Sequence, residues 1–271
     1  HFEGPIHEEL LLAPGAARYF GAYVHHYGYV KDLKAGAMKT SRNIPLLLAA
    51  IEASPKGLKN YVQLTRECCI EGRWDEAEKW CRKGREIVQG MKGAQAEGWL
   101  QVYLARILCK KADKAQAARE AEAILRDESP CELASLLIYR LMIELYAGMG
   151  SPKEAVRWGI KFEGLLRAVQ KKPDWWARQE LGEFSRSDVE TPEKLAAVWA
   201  NVTACALKAQ DSENVRYFLA LLPWEEKCLI QPYYSVFDEW ERKYGAGFSD
   251  PLLELPYDTD YLLLQKARAG K

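Results

Sequence analysis

Apolar residues recur three and four positions apart along most of the chain after residue 55, which is the spacing of helices that bury one face. The clearest example is a pair of apolar stripes on either side of Gly72, with Tyr61, Leu64 and Cys68 before it and Trp74, Ala77, Cys81 and Gly84 after it. Glycine accepts a positive φ, so Gly72 favours the end of one helix and a reversal of the chain. Small residues such as Ala77 and Gly84 let the second helix lie close to the first. The pattern predicts an antiparallel helical hairpin.

This hairpin pattern repeats along the chain. Ala117 takes the place of Ala77 after 40 residues, and Ala155 takes it again after a further 38. The second copy comprises Leu104, Leu108, Ala112, Ala117, Ala121 and Ile124, and the third comprises Tyr139, Met142, Tyr146, Gly150, Ala155, Gly159 and Phe162. A fourth, degenerate copy comprises Trp199, Val202, Ala206, Val215, Leu219 and Leu222, and ends at Pro223. The sequence therefore predicts an all-α fold, an α-α superhelix of about four hairpins over residues 56–222.

Two local signals refine the third and fourth copies. Ser151-Pro152-Lys153-Glu154 has the form of a capping box with proline at the first helical position, which predicts the start of a helix. The fourth copy follows the third by 60 residues, so about twenty extra residues are predicted between Lys171 and Glu190. This insertion holds Trp175 and Trp176. They either fill the gap that the insertion opens in the stack, which we favour, or offer a surface to a sugar ring or a protein.

Flanking elements are predicted at both ends of the repeats. Arg42 to Pro55 has the pattern of one helix ended by proline, a leading cap over residues 41–55. Gln231 to Tyr244 is an aromatic-rich helix that would close the stack, within a C-terminal region of residues 223–271. Residues 1–40 form a separate block with a small β remnant, in which Tyr19 to His26 predicts a short strand. A lone strand is unstable, so it is expected to pair with a sheet that lies mostly outside this chain.

The repeats resemble the tetratricopeptide repeat, whose signature of Trp–Leu–Gly–Tyr followed by Gly–Tyr–Ala–Phe–Ala–Pro occupies about 34 residues. The copy around Gly72 matches best and the fourth copy matches poorly. Spacings of 38 and 40 residues exceed the usual period, so longer helices or turns are expected. An irregular helical bundle is the alternative, chiefly for the last third of the chain.

Charge and cysteine content disfavour several classes of protein. Lys plus Arg equals Asp plus Glu at 38 each, and the resulting net charge of zero gives no general attraction for nucleic acid or anionic membrane. No apolar run reaches about 18 residues, so no membrane-spanning helix is expected. The chain has seven cysteines, an odd number, and no two of them have the Cys-x-x-Cys spacing. Most fall in apolar helical stretches, which is typical of buried free thiols. A reducing, cytoplasmic compartment is expected.

All four histidines lie in the N-terminal block, and no initiator Met precedes them. His7 follows Gly4-Pro5-Ile6 and precedes Glu8, whereas His25 and His26 end the predicted strand before Tyr27-Gly28-Tyr29. Lys39-x-x-Arg42-Asn43-x-x-Leu46-Leu47 then leads to Pro55 and the first repeat. In this order and spacing, residues 3–85 resemble a bacterial family-2 glycosyltransferase, in particular the group that carries helical repeats behind its catalytic domain.

The resemblance implies that the chain is the rear part of a larger enzyme. The parent would have a nucleotide-sugar-binding GT-A domain that uses a divalent metal and an Asp-x-Asp motif, and the chain would begin at the last strands of that domain. His7, Glu8 and His26 would then be catalytic-domain residues that complete a metal shell, contact a phosphate or move a proton. The alternative for His26 is a simple hydrogen bond to the backbone at the end of a strand.

Other features of an active enzyme are missing from the sequence. No Gly-rich phosphate loop occurs, and Asp258-Thr259-Asp260 follows Pro256-Tyr257 rather than a buried strand, so we interpret it as a turn or a helix cap. The chain alone is therefore expected to hold no cofactor and to transfer no sugar. A metal hydrolase built on His7, His25 and His26 is disfavoured, because carboxylate ligands at short fixed spacing are lacking.

The repeats themselves offer a candidate binding groove. Arg66 and Arg106 occupy equivalent places 40 residues apart, and Arg140 lies one turn before its counterpart in the third copy. Stacked guanidinium groups would suit an acidic peptide or a C-terminal carboxylate, although arginines on helix surfaces also pair with a nearby Glu or stay solvated.

Two functions remain open at this point. One is a non-catalytic module of a glycosyltransferase, which positions the acceptor or contacts a protein, its own catalytic domain or a second copy. The other is a free-standing adaptor that binds a peptide or protein in the groove.

Overall fold

The computed structural model describes residues 2–3, 9–10, 35–89, 95–111, 113–223, 239–240 and 242–243. Over these residues the fold is all-α, as predicted, with two short antiparallel strand pairs. The chain folds as two compact units, His1–Lys111 and Ala112–Lys271. The first unit contains β1 Phe2–Glu3, β2 Glu9–Leu10, α1 Ala35–Ala53, α2 Leu58–Ile70, α3 Trp74–Val88 and α4 Gln95–Lys110. The second contains α5 Lys114–Asp127, α6 Glu132–Gly148, α7 Pro152–Gln170, α8 Pro173–Trp176, β3 Glu180–Leu181, β4 Phe184–Ser185, α9 Ser187–Glu190, α10 Pro192–Lys208 and α11 Ser212–Leu221.

The α2–α3 hairpin in the first unit is the one that the sequence predicts most clearly. Gly72 has a φ of +72° between the two helices. The left-handed residue turns the chain so that the amide groups of Gly72 and Arg73 donate hydrogen bonds to the carbonyl oxygens of Cys69 and Cys68, at 3.2 and 2.9 Å. These bonds satisfy carbonyl groups that the end of α2 would otherwise leave unpaired.

Neighbouring helices of the first unit pack closely around this hairpin. Helix α2 contacts α1, α3 and α4, and α3 also contacts α4. A Cβ atom at Gly84 would lie 3.1 Å from both Leu100 Cδ1 and Tyr61 Cβ, so the absence of a side chain allows α3 to approach both neighbours. The core side chains are fully buried and include Leu47, Leu64, Cys68, Ala77, Cys81, Leu100 and Leu104.

Helix α1 differs from the expected leading cap in where it begins. The helix starts at Ala35, within the block that we expected to end at residue 40, and it ends at Ala53 just before Pro55. It also continues through Pro45, which is exposed. Proline removes one backbone hydrogen-bond donor, a loss that an exposed helix face tolerates better than a buried one.

The second unit contains two further hairpins. Helix α6 pairs with α7 across Gly150, whose φ of +70° repeats the geometry of Gly72, and α10 pairs with α11. In the fourth copy Gln210 takes the left-handed position with a φ of +56°, which explains why the glycine signal is missing there. Helix α10 packs against both α6 and α7, and α5 packs against α6.

The predicted capping box at the start of α7 is corrected by the structure. The helix does begin at Pro152, in the N1 position, but the side chain of Ser151 makes no capping hydrogen bond. Glu154 instead forms an ion pair with Arg157 at 2.9 Å, one turn further along the helix. Proline, which lacks an N–H group and has a suitable φ, therefore starts this helix without help from a serine cap.

The second predicted hairpin comprises α4 and α5, which belong to different units. Leu104 and Leu108 are buried in the first unit, and Ala117, Ala121 and Ile124 are buried in the second. Ala112 lies outside the described residues.

The insertion predicted between Lys171 and Glu190 is present and structured. It consists of α8, the β3–β4 pair and α9, and it contacts α6, α7 and α10. The expected strand at Tyr19 to His26 and the C-terminal tail lie outside the described residues, as does most of the expected closing helix.

Candidate functional site

The three residues assigned by resemblance to a catalytic domain, His7, Glu8 and His26, all lie outside the described residues. The same holds for Asp258 and Asp260. Their roles therefore stay predictions. Where side chains are described, no group of three His, Cys, Asp or Glu residues could hold a metal ion.

Arg66 and Arg106 lie on neighbouring helices of the first unit. Arg66 is near the end of α2 and Arg106 is near the end of α4, and the two helices contact one another directly. Arg106 is exposed, and Arg66 is partly exposed at 30% of its side chain. The structure thus brings the helices that carry this predicted pair together in one unit.

Residues close to Arg66 on α2 also have counterparts close to Arg106 on α4, again 40 residues later in the sequence. Cys69 on α2 corresponds to Cys109 on α4, and both are partly exposed. Ile70 corresponds to Lys110, and both are exposed, Ile70 to 58%. We call the surface formed by Arg66, Cys69, Ile70, Arg106, Cys109 and Lys110 the α2–α4 face.

One acidic group moderates the charge of this face. Glu67 is 4% exposed, and its Oε1 lies 3.4 Å from Nη1 of the neighbouring Arg66. A pair at this distance with one partner partly in water is weak, about 1 kcal/mol or less. Glu67 thus contacts Arg66 only weakly, and Arg106 and Lys110 are both exposed.

Arg140, the third predicted groove residue, has a different environment in the second unit. Its Nη1 donates a hydrogen bond to the backbone oxygen of Asp188 in α9, at 2.8 Å. Its Nε is buried without a hydrogen-bond partner among the described residues, and the nearest carboxylate oxygen, on Glu144, is 4.0 Å away. Arg140 thus ties the insertion to α6.

The paired tryptophans of the insertion have separate environments. Trp176 is 2% exposed, and its Nε1 donates a hydrogen bond to the Oε2 of Glu190, so the favoured prediction that both tryptophans are buried holds for this one. Trp175 remains 37% exposed. One ring stacks on the other at 6.4 Å and 20°, and Lys172 Nζ lies 5.9 Å from the Trp175 ring.

A feature that sequence reasoning missed is a trio of Tyr, Trp and a basic residue that occurs once in each unit. Tyr61 contacts Trp80 at 6.2 Å between ring centroids, and Lys83 lies 4.9 Å from the same tryptophan ring. Tyr139, Trp158 and Lys161 reproduce this arrangement 78 residues later, at 5.5 and 4.1 Å. The signal was present as Gly-x-x-x-Glu-Ala-x-Lys/Arg-Trp-x-x-Lys, which begins at Gly72 and again at Gly150. A comparison of the first and third copies, rather than of neighbours, would have found it.

The described cysteines are free, as expected. Cys81 is fully buried, and its Sγ donates to the carbonyl oxygen of Leu100 at 3.3 Å. Burial raises the pKa of Cys81 to about 12 and the pKa of Cys68 to about 11. These thiols are therefore protonated core residues rather than nucleophiles.

No protein-family model matches the chain, and no curated protein matches its sequence. Every helix in the described ranges is too short or too polar to cross a bilayer.

Proposed function

We propose that the chain is a helical-repeat interaction module whose α2–α4 face binds an acidic peptide segment. The observation that carries this proposal is the equivalent placement of Arg66, which is partly exposed, and Arg106, which is exposed, on two helices in direct contact. Arginine binds carboxylates with two parallel hydrogen bonds, which makes it the preferred residue for such recognition. Lys110 adds a third positive charge, and Ile70 adds an apolar contact.

Helix spacing defines the kind of peptide that fits. Packed helices lie about 8–10 Å apart. A peptide in the extended polyproline II conformation advances about 3.1 Å per residue with three residues per turn, so carboxylates three residues apart lie on the same side, about 9 Å from one another. We therefore expect the preferred ligand to carry acidic residues at positions i and i+3.

We further propose that this module belongs to a family-2 glycosyltransferase. The support is the resemblance of residues 3–85 to that family. In such an enzyme the α2–α4 face would hold an acceptor protein or a second copy of the chain close to the catalytic domain. In a free-standing adaptor, the alternative, the same face would bind its peptide without any attached catalysis.

Peptide binding can be measured by fluorescence anisotropy with a labelled extended peptide that has two glutamates three residues apart. Arg66→Glu with Arg106→Glu should weaken binding by roughly tenfold or more per arginine, because a hydrogen bond to a charged group contributes about 1.5–3 kcal/mol. The matched control is Lys79→Glu with Lys83→Glu on α3, which makes the same change in net charge on another helix of the same unit. Bound peptide should also slow alkylation of Cys69 and Cys109.

An equal loss of affinity in the α2–α4 variant and in the α3 control would contradict the proposed face.

The parent enzyme is tested separately by sequencing the coding DNA upstream of His1. An Asp-x-Asp motif after a hydrophobic strand would support the glycosyltransferase. A start codon within a few residues would leave the adaptor.

A further inference from the structure

The outward face of α7 is defined by an exposure pattern with the period of a helix. The exposed residues recur three and four positions apart, and their side chains cover an arc of about 120° at 100° per residue. They are Lys153, Arg157, Ile160, Lys161, Gly164, Arg167 and Ala168, and Lys171, the residue directly after the helix, continues the arc. Gln170 is also exposed but lies outside this arc. The face runs for about 27 Å at 1.5 Å per residue.

Positive charge is concentrated on this face. Residues 152–172 contain six basic and two acidic side chains, whereas the whole chain has a net charge of zero. Both acidic groups are neutralised within the helix, since Glu154 pairs with Arg157 at 2.9 Å and Glu163 with Arg167 at 2.6 Å. The basic groups left over are Lys153, Lys161, Lys171 and Lys172.

These four lysines have no carboxylate partner in the described part of the chain. Lys161 and Lys172 lie over the rings of Trp158 and Trp175, at 4.1 and 5.9 Å, and these rings supply no negative charge to pair with. Lys153 and Lys171 differ by five helical turns and project in the same direction. Helix α7 and the two residues that follow it therefore present four lysine ammonium groups without a carboxylate partner among the described residues.

Apolar side chains accompany the lysines. Of the five large apolar side chains that the described residues expose, three lie on α7 or next to it. Ile160 is 48% exposed on the face itself, and Trp175 follows the end of α7. Tyr217 of α11 is 40% exposed and accepts a hydrogen bond from Arg167 at 2.8 Å.

Helix α3, which holds the equivalent place in the first unit, lacks this charge. Lys79 and Lys83 correspond to Arg157 and Lys161 at a spacing of 78 residues. On α3, however, four acidic residues balance four basic ones: Asp75, Glu76, Glu78 and Glu86 against Lys79, Arg82, Lys83 and Arg85. A basic outer face is thus not required for a hairpin of this kind to fold.

We propose that the α7 face, together with Lys172, Trp175 and Tyr217, docks the chain on an anionic lipid surface. Each lysine near such a surface strengthens binding by about fivefold. Exposed isoleucine, tryptophan and tyrosine side chains next to basic residues can enter the headgroup region. A single-stranded nucleic acid is a poorer fit, because base stacking needs open aromatic faces and the Trp175 ring stacks on Trp176 beneath Lys172.

Co-sedimentation of the 271-residue chain with vesicles tests this docking, using phosphatidylcholine alone or mixed with phosphatidylglycerol. We expect binding to the mixed vesicles only, and release as salt shortens the screening length from about 10 Å at 0.1 M to about 3 Å at 1 M. Lys153→Glu with Lys171→Glu should lower the affinity by at least about 25-fold, at about fivefold per lysine. Lys79→Glu with Lys83→Glu on α3 is the control and should bind as the unmodified chain does.

Circular dichroism melts of both variants check that they fold, and Lys171→Glu with Lys172→Glu provides a second variant of the face. Absence of binding to anionic vesicles, or an equal loss in the α3 control, would overturn the lipid proposal. Binding to soluble polyglutamate but not to vesicles would assign the face to an acidic protein instead. Peptide binding at the α2–α4 face is measured on different residues, so either proposal can fail without the other.

Discussion

Glycine at position 159 sets the distance between α7 and α10. A Cβ atom built there would lie 2.6 Å from Cγ2 and 2.7 Å from Cγ1 of Val202, which is closer than real Cβ contacts. Gly159 is buried, and Val202 is fully buried. A single methyl group added at position 159 would therefore have to displace the neighbouring helix α10.

We expect Gly159→Ala to destabilise the chain by about 1–3 kcal/mol, the usual cost of overpacking, although alanine favours helices by about 1 kcal/mol over glycine. Gly164→Ala on the same helix is the control, since nothing lies within 4 Å of a Cβ there. That variant should be neutral or slightly more stable. Urea denaturation measures both, and Val202→Ala should partly rescue Gly159→Ala. Equal behaviour of the two glycine variants would show that α7 and α10 do not approach so closely.

The helices of the second unit begin in two different ways, with or without a side chain that caps the first turn. Asp113 caps α5 by accepting a hydrogen bond from the Gln116 amide at 2.8 Å, and Asp211 caps α11 by accepting one from the Asn214 amide at 3.1 Å. Helix α7 starts with Pro152, and its Ser151 side chain makes no capping bond. A serine–proline–x–glutamate motif thus does not by itself establish a capping box.

This difference predicts unequal effects of two similar substitutions. Asp113→Ala should lower the free energy of unfolding by about 1 kcal/mol, the typical loss for an N-cap residue. Ser151→Ala should change it by only a few tenths of a kcal/mol, because no side-chain bond is removed. Thermal and urea denaturation of both variants provide the measurement. A loss at Ser151 as large as that at Asp113 would restore the capping box at α7.

At the scale of the whole molecule, buried ionisable groups determine how stability depends on pH. Burial raises the pKa of Cys81 to about 12 and that of Cys68 to about 11. Burial, with a hydrogen bond to Glu122, also raises the pKa of Tyr146 to about 12. An unfolded chain would ionise its cysteines near pH 8.5. Above that pH the unfolded state therefore binds fewer protons than the folded state, and the stability contributed by these protonated groups is lost as pH rises.

We accordingly expect the free energy of unfolding to fall between about pH 9 and pH 12. Cys81→Ala should reduce the slope of this fall. Val88→Ala, a buried and non-titrating position on the same helix, should lower stability equally at every pH. Urea denaturation across the pH range measures all three proteins. A slope in Cys81→Ala as steep as in the unmodified chain would contradict a protonated, buried Cys81.

Most helices of the repeats were predictable because their signals are local. The apolar spacing around Gly72 and Gly150 requires only the geometry of a helix and the φ preference of glycine, and both hairpins occur where the pattern places them. The early start of α1 at Ala35 was not predicted, because the apolar pattern used for that helix begins only at Arg42. The candidate arginines were predicted by alignment of copies, but the alignment carried no information on what would contact each one.

Sequence alone determined the all-α class, the hairpin turns, the position of the insertion and the equivalence of Arg66 and Arg106, because these follow from periods and spacings along one chain. Only the tertiary structure decided that Arg140 donates a hydrogen bond to the backbone oxygen of Asp188 and that Trp176 is buried while the adjacent Trp175 is exposed. It also decided that lysines on and next to α7 have no carboxylate partner among the described residues. The physical reason is that burial and pairing depend on which elements meet in space. A residue and its immediate neighbour can therefore have opposite environments although their sequence context is the same.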